Sequence, residues 1–360
     1  MKYTLLSTLL LVCAGACSTP DGGAGGGRPQ SVALPERPQG GEIVADGGAG
    51  SVLWSGEDQK AMAEMIADSM ASITPEVIAT VGYRNTEELE VWLVPDFDAP
   101  YRGYTFRRSI IINTGGWRDT RYFVFERALA HELVHWHLAD SPVTTNMPIM
   151  LQEGLCDRLS LDLMQDSPLA YAVPAEYALL LSAARSRGEL PELIARLELS
   201  AVDATGMPPQ ERDYLYALGL ALVDRIGVRP LLEGAGRGPL VPADLLEMAG
   251  IDSAGGGLDL VLPMPAKFQF SSDSGADLAS SPTNAHSSPV PSGAVRCWIA
   301  PSRQLPRSYD RELLVRFRDS AGDLLDEQTL PIPGSLRVPR SARNCSTHLA
   351  LPSATEVTDT

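Results

Sequence analysis

Cationic side chains are scarce in this chain, and lysine is almost absent. Only Lys2, Lys60 and Lys267 of the 29 basic residues are lysine, and 45 acidic residues bring the formal net charge to −16. A nucleic-acid partner usually requires a basic surface, so this balance argues against DNA or RNA binding. A hydrophobic fraction of 44% over 360 residues indicates globular structure with a real core, enough for two domains.

The apolar run near the N-terminus is short. Residues 4–12 of "MKYTLLSTLLLVCAGAC" are mostly apolar but too few to span a bilayer, and with Lys2 they are typical of an export signal. The ending "AGAC" resembles a bacterial lipobox. The resemblance implies a lipoprotein signal peptide over residues 1–17, a lipidated Cys17 and attachment to a lipid membrane. By resemblance to known sorting rules, Ser18 after the cysteine implies the outer membrane if the cell has two membranes. An ordinary secretory signal is the alternative to the lipobox.

Cysteine is rare, with five residues in the chain. Cys13 is a weaker second candidate for lipidation than Cys17, because a bulky valine precedes it. An exported protein can form disulfides, and Cys297 and Cys345 lie in the same C-terminal region, so we expect these two to pair. Cys156 lies in an apolar helical stretch and is expected to be simply buried.

Composition divides the rest of the chain into three segments. Residues 18–50 are rich in glycine and proline and predict a disordered tether. Residues 51–252 carry mainly helical patterns, after β-like stretches at 89–95 and 107–114. Residues 253–360 are β-like with a disordered tail. The predicted fold class is therefore α+β: a mainly helical domain with a small N-terminal sheet, followed by a small all-β, sandwich-like domain.

Histidine is also scarce, yet three of the five histidines lie in "AHELVHWHLAD", residues 130–140. The pattern predicts a helix, in which positions i and i+4 share a face. His131 and His135 can therefore bind one Zn²⁺, and Glu132 lies where it can reach a water on the metal. His137 points away by about 200° and is expected to be a bystander, favoured near the negative pole of the helix.

A catalytic zinc site needs a third protein ligand. Leu138 and Ser141 occupy the positions where a metzincin has glycine and histidine, which excludes that class. His286 lies in a Ser/Pro-rich loop over residues 271–293, and His348 lies near the C-terminal tail. Neither belongs to a predicted neighbour of the HExxH helix, so the ligand must come from elsewhere.

The better candidate is Glu153 in "MLQEGLCDRLS", on a second helix that can run antiparallel beside the first. Gly154 is expected to let these two helices approach closely. Asp157 shares the face of Glu153 and can accept the other ring N–H of His131 or His135, which fixes the tautomer. An alternative is Asp157 as the third ligand, with Glu153 in a structural role.

An HExxH helix followed by a Glu-Gly helix resembles the gluzincin group of zinc metallopeptidases over roughly residues 54–250. The resemblance implies one Zn²⁺ held by His131, His135 and Glu153, with Glu132 as general base. The spacing between His135 and Glu153 is slightly shorter than in the best-known branches, a difference that the intervening loop can absorb.

A second resemblance lies downstream. The stretch "YALGLALVDRIG" is similar to the Tyr-x-x-Gly helix of aminopeptidase-like domains, which implies that the Tyr216 hydroxyl stabilises the oxyanion. Tyr214 is the alternative, and an apolar helix also explains a tyrosine that only packs in the core.

Together these features predict a membrane-tethered zinc peptidase acting on peptides or proteins. The Gly-x-Met-Glu-Asn strand of aminopeptidases is absent, which favours an endopeptidase. Residues 107–114 are a candidate edge strand for pairing with the substrate backbone, and an ordinary half-buried strand explains the same pattern. The alternatives are a zinc hydrolase for another amide and a non-catalytic lipoprotein that uses the fold as a scaffold, with its β domain binding an envelope partner.

Overall fold

The structure is a computed structural model, and the parts of the chain that it describes begin at residue 34. The described residues are 34–95, 102–106, 108–115, 122–164, 172–189, 192–193, 208–251, 261–264, 266–281, 287–301, 313–321, 323–331 and 333–350. The predicted signal peptide, the lipidation candidates Cys13 and Cys17, His286 and the predicted tail over 351–360 lie outside them. Within the described residues, no helix is both long and apolar enough to cross a membrane.

Eight α-helices lie in the described residues. They are α1 (Lys60–Val81), α2 (Tyr122–Leu138), α3 (Pro142–Asn146), α4 (Ile149–Leu163), α5 (Ala172–Ser186), α6 (Pro209–Ile226), α7 (Val228–Arg237) and α8 (Pro242–Met248). Two short 3-10 helices lie at Asp46–Gly48 and Glu57–Gln59. Ser141 and Pro142 follow the end of α2, but Pro142 also begins α3, because proline suits the first position of a helix.

Fourteen strands lie in the described residues. They are β1 (Gly41–Ala45), β2 (Gly50–Trp54), β3 (Glu90–Val94), β4 (Gly103–Phe106), β5 (Ser109–Asn113), β6 (Val261–Pro263), β7 (Ala266–Ser271), β8 (Asp277–Ser280), β9 (Ser287–Pro289), β10 (Arg296–Pro301), β11 (Leu313–Arg318), β12 (Leu324–Leu330), β13 (Gly334–Arg337) and β14 (Asn344–Ala350).

The chain divides into two compact units. The first comprises the chain up to Leu163 together with Glu192–Ile251, and the second comprises Met164–Pro191 and Asp252–Thr360. The second junction lies beside the predicted boundary at 252–253. The prediction that residues 51–252 form one continuous domain is wrong, because α5 packs against β6 and β14 of the second unit. The overall class is mixed α and β, as predicted, with a small N-terminal sheet and C-terminal strands in sheets.

The sheet of the first unit has the strand order β1-β2-β3-β5-β4. Strands β2, β3 and β5 are parallel neighbours, and β1 and β4 are antiparallel to their partners at the two edges. The prediction that residues 107–114 form an edge strand is wrong, since β5 lies between β3 and β4. Ile110, Ile111 and Ile112 are all buried, as expected for an interior strand covered on both faces. The edge strand is β4.

The disordered tether predicted over residues 18–50 extends too far towards the C-terminus. Residues 41–50 belong to the sheet, because β1 pairs antiparallel with β2 from Gly41 opposite Trp54 to Ala45 opposite Gly50. A Cβ atom at Gly41 would lie 2.2 Å from the indole ring of Trp54, so glycine here permits a close approach. Glycine content alone made this ordered strand resemble a flexible linker.

Helices α4 and α6 pack closely against each other at two glycines. A Cβ atom on Gly219 of α6 would lie 2.1 Å from the carbonyl oxygen of Met150, and one on Gly154 would lie 2.2 Å from the backbone of Gly219. The prediction that Gly154 serves the contact between α4 and the HExxH helix is therefore wrong, because its close neighbour is α6. The paired glycines fix α6 against α4.

The second unit contains two sheets of alternating pattern, one with the order β13-β10-β7-β8 and one with the order β12-β11-β14-β6, with β9 added to β14. Strands β8 and β9 lie inside the region 271–293 that was predicted to be a loop. Cys297 of β10 and Cys345 of β14 are both buried, and burial, reinforced by the Cys297 thiol, raises the pKa of Cys345. Both are free thiols, so the predicted disulfide is not formed in this structure.

Candidate metal centre

Two histidines share one face of α2. His131 and His135 are one helical turn apart and both are buried, with ring centroids 5.0 Å apart in an edge-to-face arrangement. Because α2 packs against α1, α4 and the sheet, these rings are held inside the first unit. Their separation along the helix points both imidazoles at one volume.

Glu153 of α4 faces the same volume. Its Oε2 atom lies 3.1 Å from Nε2 of His131 and 3.3 Å from Nε2 of His135. The carboxylate is almost fully buried, so these contacts are shielded from solvent. The structure thus brings together the three residues that were predicted as metal ligands, with two nitrogen donors and one oxygen donor converging.

Asp157 lies on the other side of the His131 ring. Its Oδ1 atom is 3.0 Å from Nδ1 of His131, which leaves Nε2 facing Glu153. A carboxylate that accepts the Nδ1 proton fixes the tautomer whose Nε2 lone pair can bind a metal. In this geometry Asp157 contacts His131 through the nitrogen that faces away from Glu153.

Arg127 completes this buried chain of contacts and was missed from the sequence. Its Nη2 atom donates to Oδ1 of Asp157 at 2.6 Å, and both side chains are buried. Arg127 stands four residues before His131 on α2, so the two side chains share a helix face. An arginine one helical turn before the first histidine, on the same helix face, was the available signal.

Glu132 lies beneath the edge strand β4. The Thr105 hydroxyl donates to its Oε2 atom at 2.6 Å, and a Cβ atom on Gly103 would lie 2.8 Å from its Oε1 atom. Burial raises the pKa of Glu132, and the neighbouring histidines only partly oppose this effect. A raised pKa suits a carboxylate that takes up and releases a proton near neutral pH.

The ionic balance of the site favours a cation. Glu132, Glu153 and Asp157 are buried carboxyl groups, and Arg127 is a permanent cation in direct contact with Asp157. Burial opposes charge on His131, but the carboxylates of Asp157 and Glu153 outweigh it and raise its pKa to about 9. Burial also opposes the charge on Glu153, yet both histidines hold its pKa below the usual range. Two imidazoles and a carboxylate in a negatively charged setting fit Zn²⁺.

Cys156 is a further possible donor. Ligand atoms of His131, His135 and Cys156 lie within 4.8 Å of one another, so this buried group could hold a metal ion. Sequence reasoning expected Cys156 to be buried, which it is, but did not consider it as a ligand. Glu153 is better placed than Cys156 to be the third metal ligand, since its Oε2 atom lies 3.1 and 3.3 Å from the two Nε2 atoms.

His137 lies in a different environment on the same helix. The Asn85 backbone N–H donates to its Nδ1 atom at 3.2 Å, and its buried Nε2 atom has no hydrogen-bond partner among the described residues. Burial, with a smaller contribution from Arg84, lowers the pKa of His137 to about 4. The expectation that the helix end favours its charge is therefore wrong, because burial outweighs the helix dipole.

Tyr214 and Tyr216 are both buried on α6, which packs against α4, the helix of Glu153. The structure thus places both oxyanion candidates on a helix next to a site helix, and the choice between them stays a prediction. His348 lies in β14 of the second unit, where its Nε2 atom is 2.8 Å from the Ser346 hydroxyl.

The similar solved structures described here are distant in sequence. No family model and no curated protein matches the chain. Among solved structures, aminopeptidase A of Legionella pneumophila, in complex with aspartic acid, is similar over 82% of this chain and 35% of its own, with 11% identity and a TM-score of 0.37. The histone H3 binding protein ORF158L of Singapore grouper iridovirus is similar over 24% of this chain and 71% of its own, with 17% identity and a TM-score of 0.19.

Proposed function

We propose that this protein is a zinc-dependent peptidase of the gluzincin type. The observation that carries the proposal is the convergence of Glu153 Oε2 on the Nε2 atoms of both His131 and His135, with Glu132 beside them. His131, His135 and Glu153 would hold one Zn²⁺ and leave a coordination position for water or substrate. When bound, the ion supplies Lewis-acid chemistry, polarising a carbonyl group and making water more acidic.

The protein's own groups carry the proton transfers. Glu132 accepts a proton from the attacking water on a carboxylate oxygen and then donates it to the leaving amine nitrogen. The Thr105 hydroxyl, which donates to Glu132 Oε2 at 2.6 Å, orients the carboxylate and leaves Oε1 as the atom that takes the proton. Tyr216, or Tyr214 in its place, would donate to the developing oxyanion.

Substrate would lie along β4. Among the described strands, β4 is at the edge of the sheet, and it contacts Glu132, so an extended peptide can pair with the side of β4 that faces away from β5. Glycine at position 103 lets the β4 backbone pack directly against the Glu132 carboxylate, so a peptide paired with β4 would lie close to that carboxylate. A peptide bound along an edge strand extends in both directions, which supports an endopeptidase over an aminopeptidase.

The test is hydrolysis of a peptide library by the wild type and by Glu132→Gln. We expect the variant to lose hydrolysis by at least about a hundredfold while it keeps its zinc, since the base is removed and the ligands are not. Full activity in a zinc-loaded variant would contradict the mechanism. Thr105→Val is the matched variant, since it removes the hydroxyl that orients Glu132, and a smaller loss is expected.

The second candidate is a non-catalytic lipoprotein in which the metal is structural. The observation that favours it is Cys156, whose thiol could close the coordination shell with His131 and His135. A fully occupied tetrahedral shell is typical of structural zinc, whereas a catalytic zinc keeps an open position. In that case the first unit would be a scaffold, and a zinc-loaded protein would not hydrolyse any peptide in the library.

We further propose that the protein is exported and tethered to the cell envelope through an acylated Cys17, with the outer membrane favoured. The lipobox-like ending "AGAC" and the apolar run before it support this location. Replacing Cys17 by alanine should move the protein from the membrane fraction to the soluble fraction of the envelope. Membrane association that survives Cys17→Ala, with Cys13 also replaced, would contradict it.

A further inference from the structure

The outer face of the sheet β13-β10-β7-β8 carries an exposed aromatic ring. Along β10, Cys297 and Ile299 are fully buried, while Arg296 and Trp298 point outward. Trp298 is 40% exposed and is the only aromatic residue among the exposed large hydrophobic side chains of the described residues. A lone exposed leucine is ordinary, but an indole at the centre of a sheet face offers a large, flat contact surface.

Neutral hydrogen-bonding groups flank the ring. Trp298 lies opposite Gln269 on β7 and opposite Ser335 on β13, so the three outward side chains form a row across three strands. Neighbouring strands are about 4.8 Å apart, so the amide and hydroxyl lie just beyond the two edges of the indole. A flat ring between polar groups fits a ligand that is apolar on one face and hydroxylated around its rim.

The next row of the same face carries two arginines, with one aspartate further along it: Asp277 of β8 lies opposite Ser271 of β7, which lies opposite Arg296. Arg296 lies directly opposite Arg337 on β13, and both are exposed. Like charges at opposite positions destabilise a sheet, and Asp277 stands two strands from Arg296, with Ser271 between them. Neither arginine forms an ion pair with any residue in the described part of the chain, and Lys267 on the same face of β7 forms none either. In a protein of net charge −16, this is a local cationic surface suited to an anionic ligand.

From this juxtaposition we infer that Trp298, Gln269, Ser335, Arg296 and Arg337 form a binding surface for a polysaccharide that contains acidic sugars. A sugar ring stacks on the indole, its hydroxyls bind Gln269 and Ser335, and a carboxylate two positions along the strand binds the arginines through paired N–H donors. An acidic peptide would use the arginines without the flanking row, whereas a sugar uses both rows. The inference rests on the second unit and does not depend on the proposed peptidase.

The test is binding of the full chain to polygalacturonate, a polymer of acidic sugars. Dextran, polyglutamate and anionic phospholipid vesicles are compared at the same concentration and salt. We expect polygalacturonate to bind and to quench tryptophan fluorescence, and the other three to bind at least about tenfold more weakly. Trp298→Ala should weaken polygalacturonate binding by about tenfold, and Trp298→Phe should restore most of it.

The charge contribution has its own control. Arg296→Gln with Arg337→Gln should weaken binding and reduce its dependence on salt. Arg108→Gln with Arg229→Gln removes the same charge from exposed arginines of the first unit and should leave binding unchanged. Equal binding of polyglutamate, preferential binding of the vesicles, no binding of polygalacturonate, or full binding by Trp298→Ala would each overturn the inference.

Discussion

Two faces of α2 each carry a buried histidine, and the two histidines have pKa values shifted in opposite directions. His131 is fully buried and its pKa is raised to about 9, whereas His137, only 5% exposed, has a pKa lowered to about 4. Burial alone would lower both values. The difference comes from the partners: Asp157 and Glu153 contact His131, while a backbone N–H and the charge of Arg84 face His137.

This contrast shows why three histidines in seven positions do not form one site. The helix divides them by face, and α4 then supplies carboxylates to one face only. A histidine that is buried with carboxylates is prepared to exchange a proton for a metal ion. A histidine that is buried without them stays neutral and contributes to packing.

The largest expected effect separates the two faces by metal binding. His135→Ala should abolish zinc retention, because it removes one of the converging donors. His137→Ala should keep a full equivalent of zinc, since its ring points away from Glu153. Metal analysis of the two purified variants after dialysis is the measurement. Zinc loss in His137→Ala, or zinc retention in His135→Ala, would contradict the assignment of His135 as a ligand and His137 as a bystander.

A smaller effect is expected from Arg127, which donates to Asp157, the carboxylate that contacts Nδ1 of His131. Arg127→Met leaves Asp157 without its buried cation, so zinc affinity should fall by roughly 10–100-fold. Unfolding free energy should also fall by about 3–5 kcal/mol, as for any broken buried pair. Zinc affinity by chelator competition and stability by urea unfolding give the two readouts.

Arg158 provides the matched control. Arg158 lies on α4, the helix of Asp157. Its Nε atom forms a buried ion pair at 3.2 Å with Asp224 of α6, away from the histidines. Arg158→Met should lower stability similarly while leaving zinc affinity unchanged. Equal losses of zinc affinity in both variants would mean that Arg127 acts only through stability.

The smallest effect concerns the pH dependence of stability. The pKa of His137 is about 4 in the folded protein against an ordinary value of 6.5, so on acidification the unfolded chain takes up this proton first. Its contribution is present above about pH 6.5 and is lost as pH falls towards about 4. Urea unfolding of zinc-loaded wild type and His137→Gln across this range should show a shallower decline in the variant. Parallel curves would contradict the assignment.

The helix pattern and the i, i+4 rule predicted α2 and the shared face of His131 and His135, because both follow from local geometry. Glu153 and Asp157 could be predicted from a motif resemblance and from their common face on α4. Arg127 could not be assigned, because an arginine in an apolar helix is explained only by a carboxylate from another element.

The errors in the predicted fold concern contacts between residues that are distant in the sequence. The sequence of Ile110, Ile111 and Ile112 fits an edge or an interior strand equally, and only the partner β4 on the far side distinguishes them. The glycines at Gly41 and Gly154 mark close approaches whose partners, Trp54 and Gly219, lie elsewhere in the chain. The local sequence around such a glycine does not indicate which distant residue will pack against it.

The most direct test of the central claim is zinc X-ray absorption spectroscopy on the purified wild-type protein, together with its metal content. We predict one zinc per chain, with nitrogen and oxygen ligands at about 2.0–2.2 Å and no sulfur. A protein without metal would contradict the site. A zinc–sulfur distance of about 2.3 Å, lost in Cys156→Ser, would instead show a shell closed by Cys156 and contradict the proposed catalytic zinc.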